Sequence, residues 1–278
     1  MKYPDMFRVK PGSEVKLSQM DTSSIADDKD KVGAQEEVMS LRGRLAELQE
    51  LMYAECRRSL LIVLQAMDAG GKDGTVNHVI SSMNPQGVTV QPFKVPSAEE
   101  MAHDYLWRVH KVTPAKGRVV VFNRSHYEDV LVVRVHGLVP RGVWSKRYDE
   151  INAFEKHLSD NGTHIVKFFL HVDKKEQLRR FKDRLEDSTK HWKIAESDYT
   201  ERELWDEYQK AYEDAISRCS TEYAPWYVIP ANHKWFRNLA ISHVLVRTLE
   251  SLAMQFPPPS VDIQEIRRLY QAAAQESA

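Results

Sequence analysis

The feature that most constrains this chain is an apolar run that stops at a glycine loop. Leu60–Leu64 reads Leu-Leu-Ile-Val-Leu, and Ala66-Met-Asp-Ala-Gly-Gly-Lys-Asp-Gly-Thr75 follows it. Consecutive apolar residues bounded by turn residues predict a buried strand, and a helical pattern begins near Thr75. Strand, glycine loop and helix together aim backbone N–H groups at a phosphate. Gly70, Gly71 and Gly74 leave room for close backbone approach, and Lys72 adds a point charge for a phosphoryl oxygen. The usual G-x-x-x-x-G-K-S/T pattern is half met, because Ala66 stands at its first glycine and Asp73 at its hydroxyl residue. Read alone, the segment also fits a plain strand-to-helix turn that holds Gly-Gly-Lys. The surrounding pattern favours a phosphate cradle, with Ala69, Gly70, Gly71, Lys72, Asp73, Gly74 and Thr75 as phosphate-binding residues. Asp68 and Asp73 would repel a phosphate unless a hard cation lay between, which implies Mg²⁺, with Asp68 the better placed ligand.

Five apolar runs alternate with helical stretches: Leu60–Leu64, Val88–Phe93, Val119–Phe122, Ile165–Val172 and Trp226–Ile229. Val38, Leu41, Leu45, Leu48 and Met52 recur at helical spacing, and further helix patterns cover about 143–159, 174–186, 198–218, 234–254 and 263–274. Ser97-Ala-Glu-Glu100 matches a capping box. Such alternation predicts an α/β fold, a five-stranded parallel sheet with helices on both faces. The 278 residues fit a single domain, 1–278. Residues 1–33, with Pro4, Pro11, Gly12 and the charged stretch Asp27–Lys31, read as an extended arm without a core of its own. Residues 174–218 read as an insertion between the fourth and fifth strands.

That insertion is unevenly charged: residues 174–193 hold eight Lys/Arg against four acids, and 196–214 hold eight acids against Arg202 and Lys210. Two solvated helix faces would account for this. Beside a phosphate loop, Arg179–Arg184 and Lys190–Lys193 instead suggest a basic lid that closes over phosphates and excludes water. Trp192 is placed to stack on a base or to lie idle on the surface. Trp205, Tyr208 and Tyr212 share helical spacing and read as core.

Val119–Phe122 runs into Asn123-Arg-Ser-His-Tyr-Glu-Asp129. Polar residues at the C-terminal end of a parallel strand lie where such sheets place ligands. Arg124 is placed to stabilise charge on a transferring phosphoryl group, and Glu128 or Asp129 to supply acid near a metal. Ser125-His126 has no third partner at a telling spacing for a hydrolase.

With a net charge of −1, the molecule as a whole is no nucleic-acid binder. There is no signal-peptide core and no apolar run long enough to span a membrane. Cys56 and Cys219 form no metal-ligand spacing and read as reduced thiols of a cytoplasmic protein.

Ala69–Gly74, Phe122–Val130 and Lys190–Lys193 resemble the family-2 polyphosphate kinases. The likeness extends to Phe7–Gly12, Pro96–Glu100, Ala224–Val228 and Lys234–Arg237, from the arm to about residue 256. The resemblance implies a thymidylate-kinase-like P-loop kinase core with a helical lid. It implies reversible, Mg²⁺-dependent transfer of the terminal phosphoryl group of inorganic polyphosphate to a nucleotide, adenine or guanine. It carries over Asp68 as the loop acid near Mg²⁺, Lys72 as the phosphate lysine, Arg124 after the second strand, and Arg184 as the lid arginine; Asp129 is taken as a second metal ligand from its position after Val119–Phe122 alone. Asn123, Arg124, Glu128 and Trp192 would face the nucleotide. Asn123-Arg-Ser-His-Tyr-Glu128 is similar to the class that accepts both AMP and ADP, with Glu128 discriminating. Lys10, Lys72, Lys94, Lys116, Arg134, Lys190 and Lys193 are candidates for a polyphosphate track, and a homo-oligomer, dimer or tetramer, is expected. An ATP-dependent nucleoside monophosphate kinase and a non-catalytic nucleotide switch remain the alternatives.

Overall fold

The computed structural model describes residues 3–25 and 30–276. Part of the charged stretch noted above, residues 27–29, lies outside the described residues. Five strands form one parallel sheet: β1 (Ser59–Gln65), β2 (Val88–Pro92), β3 (Val119–Asn123), β4 (Thr163–His171) and β5 (Trp226–Pro230). Their order is β2-β3-β1-β4-β5. All five predicted runs are strands, each within two residues at either end. β1 is central and buried along its whole length, which is why its sequence is continuously apolar rather than alternating. Each fully buried Leu, Ile or Val there contributes roughly 1.5–3 kcal/mol. β2 is the exception to the expected burial. As an edge strand, its Val90 is exposed, and Pro92 occurs where no central ladder needs its missing N–H.

The helix Lys31–Glu55 starts where the Asp30 carboxylate accepts the Gly33 N–H at 2.8 Å, a side-chain cap. It ends at Cys56, in left-handed backbone. Leu45, Leu48 and Met52 turn inward, so its apolar stripe is used by the core. It lies against the helix Lys234–Ser251, tied by Arg44 to Glu250 at 3.0 Å and by His243 to Glu37 at 2.8 Å. Ser97 and Glu100 form the expected capping box.

The arm differs from expectation. Tyr3, Val9, Val15 and Leu17 are buried in the common core, and Tyr3–Phe7 is a short helix. Arg8 forms an antiparallel bridge with Tyr227, and the Val9 N–H donates to the Trp226 carbonyl at 2.9 Å. The arm thus borrows the domain's core and covers the free side of β5.

The segment 174–218 divides. Helix Trp205–Cys219 is core, with Trp205, Tyr208 and Tyr212 buried as predicted. Only Lys174–Glu186, the 3-10 turn Ser188–Lys193 and helix Ser197–Glu203 precede it. Among the described residues, no helix is long and apolar enough to cross a membrane. Cys56 and Cys219 are both free thiols.

Candidate active site

The site is assembled from the chain segments leaving the C-terminal ends of β1, β3, β4 and β5. After β1 the backbone doubles back sharply. Ala69 has φ 57° and Gly71 φ 108°, and the Gly70 N–H donates to the Met67 carbonyl at 2.9 Å. A Cβ on Gly70 would lie 2.8 Å from that carbonyl oxygen, so the turn needs glycine. The helix starts at Lys72, capped by Gly71, three residues before the position predicted. Lys72 folds back so that Nζ donates to the Ala66 carbonyl at 3.0 Å. Burial, with Arg124 nearby, pushes its ammonium down to about 8, although Asp68, Glu128 and Asp73 oppose the shift. Thr75 is buried and its hydroxyl donates to the Gly71 carbonyl at 3.2 Å. It braces the loop from inside and does not present itself to a phosphate, a correction to the expected role.

β3 brings the second group alongside. Leu64 pairs with Asn123 in the sheet, and the Arg124 N–H donates to the Leu64 carbonyl at 3.1 Å. Arg124 takes left-handed backbone, φ 63°, which turns its side chain back over the loop. Its guanidinium reaches Asp68 at 2.6 Å and Glu128 at 3.3 Å. Burial works against that charge, but Glu128 and Asp68 together raise its pKa. Asn123 donates to Asp73 at 3.0 Å. Against burial, this bond and Lys193 hold the Asp73 carboxyl below its usual range.

Beneath Arg124 the chain is pinned by a dry polar cluster. Ser125 accepts from Gln65 at 3.1 Å. His126 and Tyr127 both meet the fully buried Glu155, at 3.0 and 2.9 Å. Lys167, fully buried in β4, pairs with Glu155 at 2.5 Å and donates to Tyr127 at 2.8 Å and to the Cys219 carbonyl at 2.6 Å. Ser125 and His126 are therefore scaffold, with no exposed nucleophile. The cluster is invisible to motif reading because its members come from five places along the chain.

Asp129 does not join the site. The 3-10 turn His126–Asp129 aims it at Arg147, 2.9 Å away, and burial lifts its carboxyl to about 6 despite that arginine. The expectation of a metal ligand at Asp129 is thereby corrected: it does not line the cleft. Glu128 stays adjacent through Arg124.

From the β4 side, Lys193 reaches Asp73 at 3.4 Å, and Arg184 donates to the Lys193 carbonyl at 3.1 Å with Asp198 at 3.5 Å. Lys190 lines the cleft while pairing with Asp187 at 2.5 Å. Trp192 is 78% exposed and outside the cleft, its ring covered only by the Lys193 ammonium at 4.8 Å. Of the proposed basic track, Lys72, Lys94, Lys190 and Lys193 line the cleft, whereas Lys10, Lys116 and Arg134 do not, and Arg134 pairs with Asp214 at 2.6 Å.

Two buried arginines complete the wall. Arg180 donates to the Ala69 carbonyl at 2.9 Å, to the Ala231 and Asn232 carbonyls and to Glu176 at 2.7 Å. Arg237 packs flush against Gly71, where any Cβ would collide with its Nη1. Sequence reading had Arg180 only as part of a lid and Arg237 only within a shared motif. The resulting cleft, about 1160 Å³, is lined by twelve Lys or Arg against four Asp, on a chain whose net charge is −1.

The model of the family "Polyphosphate kinase 2 (PPK2)" matches residues 28–257. The chain belongs to the polyphosphate kinase 2 family. It is 54% identical over 261 residues to the AMP/ADP-polyphosphate phosphotransferase of Meiothermus ruber, covering 94% of this chain and 98% of that protein. It is 45% identical to the ADP-polyphosphate phosphotransferase of Rhodopseudomonas palustris, over 90% of this chain and 91% of that one. The crystal structure of Polyphosphate Kinase 2 from Arthrobacter aurescens TC1 superposes with a TM-score of 0.93 at 42% identity, covering 97% and 96% of the two chains. The P-loop kinase fold implied by the sequence is thus the fold of this PPK2 chain, five parallel strands flanked by helices.

Proposed function

We propose that this PPK2 protein transfers the terminal phosphoryl group of inorganic polyphosphate to AMP and to ADP, reversibly. The observation that carries the reading is the charge of the cleft: twelve cations against four acids beside the loop, while the rest of the chain offsets that excess. A linear polyanion matches such a groove, because neutralising many phosphates together rewards a continuous cationic lining.

In the reaction the acceptor phosphate oxygen attacks the terminal phosphorus in line, and the bond to the bridging oxygen breaks, leaving the shortened chain with that electron pair. Lys72, released from the Ala66 carbonyl, would hold the loop-bound phosphate. Arg124 would leave Asp68 to meet charge on the phosphoryl oxygens in flight. Glu128 and Asn123 would orient the acceptor. Arg184 and Lys193, on the segment before Trp205, would close the cleft as a lid and exclude water, so that transfer wins over hydrolysis.

Mg²⁺ fits this donor set. Asp68 offers one carboxylate at the loop, and among the described residues no cluster of three or more His, Cys, Asp or Glu forms a complete cage. Mg²⁺ is commonly held by one or two carboxylates plus substrate phosphates and water, so Asp68 is the residue we assign to it. When bound, it would neutralise phosphate charge.

Incubating the protein with AMP, polyphosphate and Mg²⁺, without ATP, tests the reading. ADP and then ATP should form. No product from AMP or ADP would overturn it, and product only when ATP is supplied would identify a nucleoside monophosphate kinase.

A further inference from the structure

The phosphate loop sits between two differently furnished neighbours. On the β3 side, Arg124 is matched by Asp68 and Glu128. On the β4 and β5 side stand Arg180, on the helix after β4, and Arg237, on the helix after β5. Arg180 is matched by Glu176. Arg237 is 1% exposed and, among the described residues, is not matched by any acid. Its Nε and Nη2 donate to the Asn238 Oδ1 at 3.1 and 2.8 Å. Among the described residues, its Nη1 has no hydrogen-bond partner. The charge felt by the guanidinium is the like charge of Arg180, which adds to burial in pushing it down to about 9. Nearby Lys234 is lowered for the same two reasons, burial and Arg180.

A buried cation without a counter-ion is strongly disfavoured. A fold that keeps one, flush against Gly71 and Gly74 and lining the cleft, leaves room for an anion to complete it. We propose that Arg237 binds a phosphate of the donor chain other than the one transferred, so that bound polyphosphate is the counter-ion the fold omits. The sheet order favours donor over acceptor: Arg237 is on the helix that follows β5, whereas Asn123, Arg124 and Glu128 follow or end β3, and β5 and β3 lie on opposite sides of β1. This inference rests on the polyphosphate reading above.

The test is Arg237→Met, with Arg237→Lys beside it. R237M should raise KM for polyphosphate roughly tenfold or more, the scale of a lost charge-assisted hydrogen bond, and change KM for ADP less than about twofold by the same scale. R237K should recover part of the loss. Tripolyphosphate alone should raise the melting temperature of the wild type but not of R237M, whereas ADP should shift both. In donor-free buffer R237M should melt no lower than the wild type, because a buried unpaired charge has been removed. An unchanged donor KM, a parallel rise in KM for ADP, or a melting temperature more than ~5 °C lower would each overturn the inference. If the wild type makes no ADP from AMP and polyphosphate, yet tripolyphosphate still stabilises it and not R237M, the proposed function fails and the anion site stands.

Discussion

The Arg124 guanidinium donates to the Asp68 carboxylate at 2.6 Å, across the gap between the ends of β3 and β1. The two groups proposed to meet phosphate and metal neutralise each other, which keeps two partly buried charges from standing alone. Substrate must part them, so each should matter more to turnover than to stability. Arg124→Ala should lower kcat/KM by roughly 10³-fold or more, while the far-UV circular dichroism stays that of the wild type. A variant within a few-fold of normal activity would remove Arg124 from the transfer step.

Lys72→Ala should abolish transfer with little loss of fold. Its pH behaviour is more specific. Burial in the folded protein lowers the Lys72 ammonium to about 8, against 10.5 ordinarily. Phosphate binding favours the charged form, so binding above about pH 8 should take up a proton, and donor affinity should weaken as pH rises through that value. Between about 8 and 10.5 the unfolded chain holds more protons at this lysine than the native one. Lys72 therefore contributes a rise in stability with pH across that window. Calorimetry in buffers of different ionisation enthalpy would reveal the uptake in the wild type, and K72A should lack it.

Glu128 touches Arg124 at 3.3 Å and stands four residues beyond it, in the 3-10 turn His126–Asp129. Glu128→Asn should move acceptor preference away from AMP. The readout is the AMP:ADP ratio of kcat/KM, and an unchanged ratio would exclude a discriminating role.

The Lys167–Glu155 pair lies in the dry core beneath the Arg124 turn. Lys167→Met should cost about 3–5 kcal/mol of stability, because Glu155 would be left buried and unpaired. The double variant E155L/K167M should recover part of that loss in urea unfolding. Recovery should not extend to activity, since His126 and Tyr127 would still lack the carboxylate that fixes them.

What was legible in the sequence follows from range. β1 and its loop could be read because ten or so consecutive residues carry both the burial pattern and the turn glycines. The parallel sheet followed from continuous rather than alternating apolar runs. Asp129 misled because spacing along the chain counts residues but not the rotation of a 3-10 turn, which sends that carboxylate to Arg147. Trp192 is ambiguous in sequence because an aromatic beside lysines looks alike whether it covers a base or solvent. Arg237 carried no signal beyond its place in a shared motif: its meaning depends on Gly71, which the fold alone brings against it. The packing of the arm had no sequence signal for a related reason. Its apolar residues Tyr3, Val9, Val15 and Leu17 are too sparse to suggest a core, and they suffice only because the main domain supplies the rest.

The bridge between Arg8 and Tyr227 has a consequence for handling the chain. β5 is the last strand on its side of the sheet, and a bare strand there would offer its unpaired backbone groups to any neighbouring molecule. Residues 3–12 act as a guard rail along that border. Trimming them to tidy the N-terminus would trade a harmless tail for a sticky seam.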